Sequence, residues 1–314
     1  MEALVAITYR CNAKCYMCNT WKYPTTRDEE ITVQDIKRLP NGLGFANITG
    51  GEPFLREDIE EIVAILRRKA DRIVVSTNGY LSERIINAAK NNPDIGFRVS
   101  LEGLPRANDE LRGIKNGFDH GLRTLLQLHD LGVKDIGFGI TISDRNAQDL
   151  MALYSLAKAM GVEFATAAVH NTYYFHKFDN CFEDPDSISE EFRKLIREML
   201  KSRRVKDWFR AYLNHGLVNY IQGQPRLLPC GAAKDVFFVD PFGEVRPCNA
   251  MEVSMGNLKT NTFDEIWNGP QAVEVRRKVE QCDSNCWMVG TVAPAMKRQI
   301  WAPAKWILKN KWSY

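Results

Sequence analysis

The chain has 314 residues, 45% hydrophobic and 26% charged, with 42 Lys and Arg against 39 Asp and Glu. A formal net charge of +3 is too small to argue for nucleic acid, and no basic arm appears. With no positive n-region and no apolar run of membrane-span length, the expectation is a cytoplasmic protein, working anaerobically, whose eight cysteines are metal ligands rather than disulfides.

β-rich runs at Leu4–Thr8, Phe45–Thr49, Ile73–Ser76, Phe97–Leu101, Ile136–Ile142 and Glu163–Ala167 predict strands. Between them Ile59–Lys69, Ser82–Lys90, Gly121–Leu131 and Ala147–Met160 carry apolar residues at helical spacing, the last with Asn146 as its expected cap. Alternating strands and helices imply a parallel sheet with right-handed crossovers. Six units by residue 170 fall short of an eightfold barrel of about 250 residues. The expectation is a partial (β/α)6 TIM-type barrel over residues 1–170.

Residues 171–224 break the alternation and read as a helical bridge, with helices at Ser187–Lys201 and Trp208–Ile221. Over 225–290 a hairpin (Val236–Val239, a turn at Asp240–Gly243, Val245–Pro247) and short helices at Phe263–Trp267 and Gln271–Glu280 predict a small α+β domain. A basic, Trp-bearing tail, 291–314, remains. Its composition fits either a peripheral membrane contact or a helix packing its tryptophans on the barrel, with Pro303 limiting any helix to Ala304 onward.

The chemistry is organised around Cys11, Cys15 and Cys18, directly after the first strand. Three thiolates with no fourth nearby suit three corners of a cubane iron–sulfur cluster, leaving one iron open; a closed zinc site wants four protein ligands. Gly50-Gly51-Glu52-Pro53 ends the second strand, where bare backbone lets a ligand approach and carbonyls accept from an ammonium group. As a plain feature it is a strand-to-helix turn. The second cysteine set is Cys230, Cys248, Cys282 and Cys286, whose spacing allows a tetrahedral zinc site or a full cubane cluster.

The C-x3-C-x2-C spacing with Tyr16, followed by Gly50–Pro53, resembles the radical S-adenosylmethionine (SAM) enzymes. That resemblance implies a SAM-binding 4Fe–4S cluster, reductive cleavage of SAM to a 5′-deoxyadenosyl radical, and an external reductant such as flavodoxin or ferredoxin. Gly50–Pro53 then hold the SAM amino group. Ser76, Asn78, Ser100 and Glu102 reach its carboxylate and ribose, and Thr141 its ribose or adenine end. Arg112 pairs its carboxylate; as a plain feature it is a solvated helix-end arginine. The run from Cys230 to Cys248 resembles the SPASM and twitch domains, and four cysteines match the twitch type with one auxiliary 4Fe–4S cluster.

Cys181 is a small apolar residue or, as in radical SAM epimerases, a hydrogen-atom donor. His170, His176, Tyr173 and Tyr174 are substrate contacts or a packing cluster. The expected reaction is hydrogen abstraction from a small molecule, a sugar, alcohol or lipid-linked sugar, ending in dehydrogenation or epimerisation. The first strand begins at Leu4, which weighs for a small molecule over a leader peptide. A peptide-modifying maturase and a non-catalytic iron–sulfur or zinc relay protein stand as alternatives.

Overall fold

The computed structural model describes residues 1–312. Six parallel strands, β1 (Glu2–Ala6), β2 (Phe45–Thr49), β3 (Ile73–Thr77), β4 (Gly96–Ser100), β5 (Ile136–Ile142) and β6 (Glu163–Ala168), lie side by side in chain order. The register fixes strand ends together: Ala6 pairs with Thr49, Thr77 with Val99, and Ser100 with Gly139. β1, β3 and β5 are almost wholly buried, as a parallel sheet covered by helices requires, while β2 and β6 bury alternate residues. This is the partial TIM-type barrel.

Its helices are α1 (Val33–Ile36), α2 (Ile59–Leu66), α3 (Ser82–Asn91), α4 (Pro105–Arg112), α5 (Gly117–Asp130) and α6 (Leu150–Met160). Next come the pair α7 (Pro185–Lys201) and α8 (Val205–Ile221), which pack on each other, α7 also on α6 and α8 on β6. The hairpin strands β7 (Val236–Val239) and β8 (Glu244–Arg246), with β9 (Gly256–Asn257), extend the sheet, because β7 pairs parallel to β1. Phe237, Val239 and Val245 share one core with Val5, Ile48 and Phe97. α9 (Phe263–Asn268), α10 (Pro270–Glu280), α11 (Val289–Arg298) and α12 (Trp301–Asn310) complete the chain.

Two local expectations are corrected. Asn146 stands at the N-cap position of the 3-10 turn Ala147–Asp149 that leads into α6, but its side chain makes no capping bond: its amide donates to the Glu102 carbonyl at 2.7 Å and the Thr141 carbonyl at 3.0 Å, while its Oδ1 accepts from Ser143 N–H at 2.8 Å. Fully buried, it ties the ends of β4 and β5, a use that outbids capping because those carbonyls have lost water. Pro303 does not hold the last helix back either. α12 starts at Trp301 and places the proline in its first turn, where a backbone N–H has no intrahelical acceptor to lose.

Candidate active site

The cysteine loop is pinned to the C-terminus of α4. Lys14 N–H donates to the Arg112 carbonyl at 2.9 Å and Tyr16 N–H to the Leu111 carbonyl at 2.7 Å, so the loop satisfies carbonyls the helix end leaves orphaned. Gly113 ends α4 at φ 57°, and a Cβ there would stand 2.6 Å from the Lys14 carbonyl oxygen. Met17, Leu111 and Val169 pack beneath.

Cys11, Cys15 and Cys18 all line one cavity of about 280 Å³ at the C-terminal ends of the barrel strands. Burial pushes the Cys11 thiol up to about 12 and Cys15 to about 11, while the Arg112 guanidinium pulls both back. Ala13 N–H reaches the Cys11 sulfur at 3.4 Å, and the Thr20 hydroxyl lies 2.8 Å from that of Cys18. Three half-buried thiols whose desolvation favours the protonated form fit a metal cluster, which would supply positive charge and displace the protons.

Gly50 and Gly51 line the same cavity, and their bareness is demanded by the chain itself. A Cβ on Gly50 (φ 154°) would stand 2.5 Å from the Thr8 carbonyl oxygen, and one on Gly51 2.2 Å from that of Arg10. Gly51 and Glu52 N–H groups donate to those same two carbonyls, at 2.7 and 2.8 Å. The turn thereby carries the backbone that leads into Cys11. Glu52 is fully buried and faces inward, accepting from Thr77 Oγ1 (2.8 Å), Asn78 N–H (2.7 Å) and Phe54 N–H (3.1 Å). Pro53 starts a single 3-10 turn and does not line the cavity.

Ser76, Asn78, Ser100, Glu102, Arg112 and Thr141 are brought together on the cavity wall. Asn78 donates to Asn12 Oδ1 at 2.6 Å, linking β3 to the cysteine loop. Ser76 accepts from Asn47 at 3.0 Å. Arg112 is 8% exposed, not a solvated helix end. Its Nη1 donates to Glu102 Oε1, whose Oε2 accepts from Thr141 N–H at 2.6 Å. Arg112 Nε, though buried, has no partner among the described residues. A buried cation with an orphan donor on a cavity wall suits a carboxylate-bearing ligand.

Cys230, Cys282 and Cys286 line a second cavity, of about 690 Å³. Cys248 is buried beside it; burial, with smaller contributions from Cys286 and Cys230, pushes its thiol up to about 12. Arg226 went unread in the sequence. It donates to the Cys286 carbonyl and lies 3.7 Å from its sulfur, lowering that thiol against the upward push of burial. Among the described residues no three His, Cys, Asp or Glu groups converge on one ion position.

His170 joins the two regions. It lines the first cavity and accepts from Trp287 N–H at 3.1 Å, next to Cys286, while its Nδ1 bonds the Ala168 carbonyl at 2.7 Å. Only the neutral ring with its proton on Nδ1 makes both bonds, and burial holds its pKa down at about 4. It stacks on Tyr220 at 4.1 Å. Tyr174 donates to the Gly50 carbonyl at 2.5 Å, and its own N–H donates to Asn249 behind Cys248, at 3.1 Å. Tyr173 lies under Arg246, and His176 packs on Tyr9. Cys181 is exposed and outside the cavity lining.

A family profile described as the Radical SAM superfamily matches residues 5–157, and one described as an iron–sulfur cluster-binding domain (SPASM) matches 230–287. The Fe-coproporphyrin III synthase of Methanosarcina barkeri is 35% identical over 48% of this chain and 39% of its own length. The antilisterial bacteriocin subtilosin biosynthesis protein AlbA of Bacillus subtilis is 26% identical over 86% of this chain and 60% of its own. The chain thus spans less than two thirds of either relative. The crystal structure of Streptococcus suis SuiB bound to S-adenosylmethionine superposes with a TM-score of 0.65 at 16% identity, covering 88% of this chain and 67% of that one.

Proposed function

From the chain's membership of the radical SAM superfamily, with a SPASM iron–sulfur cluster-binding domain behind the barrel, we propose that it dehydrogenates a small molecule. When bound, the 4Fe–4S cluster supplies an electron to SAM, giving methionine and a 5′-deoxyadenosyl radical able to take a hydrogen atom from an unactivated C–H bond. Cys11, Cys15 and Cys18 would hold that cluster, and Cys230, Cys248, Cys282 and Cys286 the auxiliary one, to which the substrate radical would give the second electron as a proton leaves to solvent. Arg112 receives the SAM carboxylate while Glu102 and Thr141 fix the guanidinium in place. Gly50, Gly51, Ser76, Asn78 and Ser100 line the rest of the SAM seat.

The observation that carries this reading is that three half-buried cysteines and Arg112, with its orphaned Nε, line one cavity. Dehydrogenation is preferred over epimerisation because the one spare thiol, Cys181, is exposed and does not line that cavity. Likeness to a porphyrin-processing synthase supports a small molecule, so tetrapyrroles join sugars and alcohols as classes to screen. A peptide substrate is the second reading, favoured by likeness to AlbA over most of the chain.

The test is anaerobic. Iron- and sulfide-reconstituted protein with SAM and dithionite should release 5′-deoxyadenosine, and the Cys11→Ala variant should release none. Loaded protein that binds SAM yet releases none overturns the proposal. With a substrate in hand, loss of two mass units marks dehydrogenation. An unchanged mass that gains deuterium from heavy water marks epimerisation.

A further inference from the structure

α12 and the turn after it offer solvent an apolar stripe on which, among the described residues, no apolar side chain packs. Trp301, Leu308 and Trp312 are 83%, 71% and 81% exposed; Trp301, Lys305 and Leu308 recur at i, i+4 and i+7 along α12, and Trp312 follows in the turn past its end. The opposite face is anchored: Trp306 stacks on His215 at 4.8 Å and meets Tyr212, both on α8, and Ile307 is buried. The helix is therefore held rigidly with its large aromatic groups outward, an arrangement that core packing does not need.

The charge along the segment itself has one sign, although Lys297 and Arg298 are paired with Glu2 and Asp235. From Lys297 to Trp312 the chain carries Lys297, Arg298, Lys305, Lys309 and Lys311 and no carboxylate. Lys311 donates to the carbonyls of Leu200 and Ser202, bringing the stripe against the α7–α8 turn. That turn adds Lys201, Arg203, Arg204 and Lys206 around an exposed Val205. The carboxylates beside it are fewer than the cations: Glu198 pairs with Lys201, Glu163 with Arg204, Lys206 and Arg210, and Asp207 accepts from Ser202 Oγ, so the surface keeps a positive balance.

We propose that α12 and the α7–α8 turn form a docking surface for an anionic lipid bilayer. Tryptophans at both ends of the stripe suit the headgroup level, and Lys305 between them reaches lipid phosphate while its stem lies along the apolar face. Charge complementarity selects anionic lipid. Glu163, which binds the turn, opens β6, whereas the cavity lies at the opposite, C-terminal strand ends. The surface holds the protein on the membrane and does not feed lipid-linked substrate to the cavity.

Two kinds of vesicle decide it: phosphatidylcholine alone, and phosphatidylcholine with phosphatidylglycerol. Full-length protein should co-sediment only with the second, and less so at high salt. Replacing Trp301, Leu308 and Trp312 together by Ser should weaken partition by about tenfold or more, and Lys305→Glu with Lys309→Glu should do likewise. Unchanged melting temperature and iron content in both variants establish that the fold is kept. Wild-type protein staying in the supernatant with anionic vesicles at low salt, or a triple variant that binds as well as wild type, overturns the proposal. So does sedimentation velocity showing that the stripe instead closes a dimer that vesicles do not dissociate.

Discussion

Arg112 and Glu102 stand 3.0 Å apart, each under 10% exposed, and the pair leaves Arg112 Nε as a buried donor with nothing to bond among the described residues. Burial works against both charges, raising the Glu102 carboxyl, while Cys15, Glu102, Cys11 and Glu52 more than hold the guanidinium charged. Such a pair is a poor way to gain stability and a good way to present a fixed cation to a ligand.

Arg112→Gln should therefore separate two effects. Breaking the pair leaves Glu102 buried and unpaired, which costs about 3–5 kcal/mol of stability. SAM affinity, measured calorimetrically on cluster-loaded protein, should fall about 10- to 100-fold with the loss of a charge-assisted contact. Glu102→Gln should cost stability with a smaller loss of affinity. If Arg112→Gln binds SAM normally, the guanidinium serves only the fold.

Gly51→Ala tests whether the glycine turn carries the cysteine loop. Its Cβ meets the Arg10 backbone, which cannot rotate aside as a side chain would. Overpacking of this kind costs about 1–3 kcal/mol, and the displaced backbone leads straight to Cys11. Iron in the SAM-binding cluster should drop while the auxiliary cluster stays full, read as iron and sulfide per chain. Equal loss from both would point to general misfolding.

The same turn shows what was legible in the sequence. Strand ends with polar residues could be read because β3 opens on Ile73-Val74-Val75, β7 is wholly β-branched or aromatic, and β5 spaces Ile, Phe and Thr with small glycines, each run bounded by turn residues. α4 was missed, though it carries the cysteine loop. Pro105-Arg-Ala-Asn-Asp-Glu-Leu-Arg has only Leu111 as a large apolar residue, so no 3.6-residue stripe betrays it. Its signal was the punctuation, proline at the first position and Gly113 past the last. Arg226 had no signal at all, because its importance lies in a contact with Cys286 sixty residues away. The joining of β7 to β1 is likewise a long-range pairing that local pattern does not encode.

His170 should make stability depend on pH. Its folded pKa, about 4, lies below the ordinary 6.5, so between those values the unfolded chain binds the proton and the folded chain does not. Its contribution is then fully present above about 6.5 and lost as pH falls towards 4, about 3 kcal/mol in all. Urea midpoints across this range should rise with pH for wild type and flatten for His170→Asn. An equal slope in the variant would assign the dependence to other groups.

Arg226 sets a prediction on the auxiliary cluster alone. Its guanidinium lies within 3.7 Å of the Cys286 sulfur and 5.4 Å over the Trp287 ring, and it also bonds the Leu228 carbonyl at 2.8 Å. A fixed cation beside a ligating thiolate favours the more negative, reduced cluster, so Arg226→Gln should lower the midpoint potential, on the order of tens of millivolts. Arg226→Lys keeps the charge but loses the planar fork, and should recover part of the shift. The measurement is a redox titration followed by electron paramagnetic resonance, in a background where Cys11, Cys15 and Cys18 are Ala and only the auxiliary signal remains. A purely structural arginine would instead broaden or diminish that signal in both variants while leaving its midpoint in place. The direction of the potential thus separates an electrostatic role from a packing role at one residue.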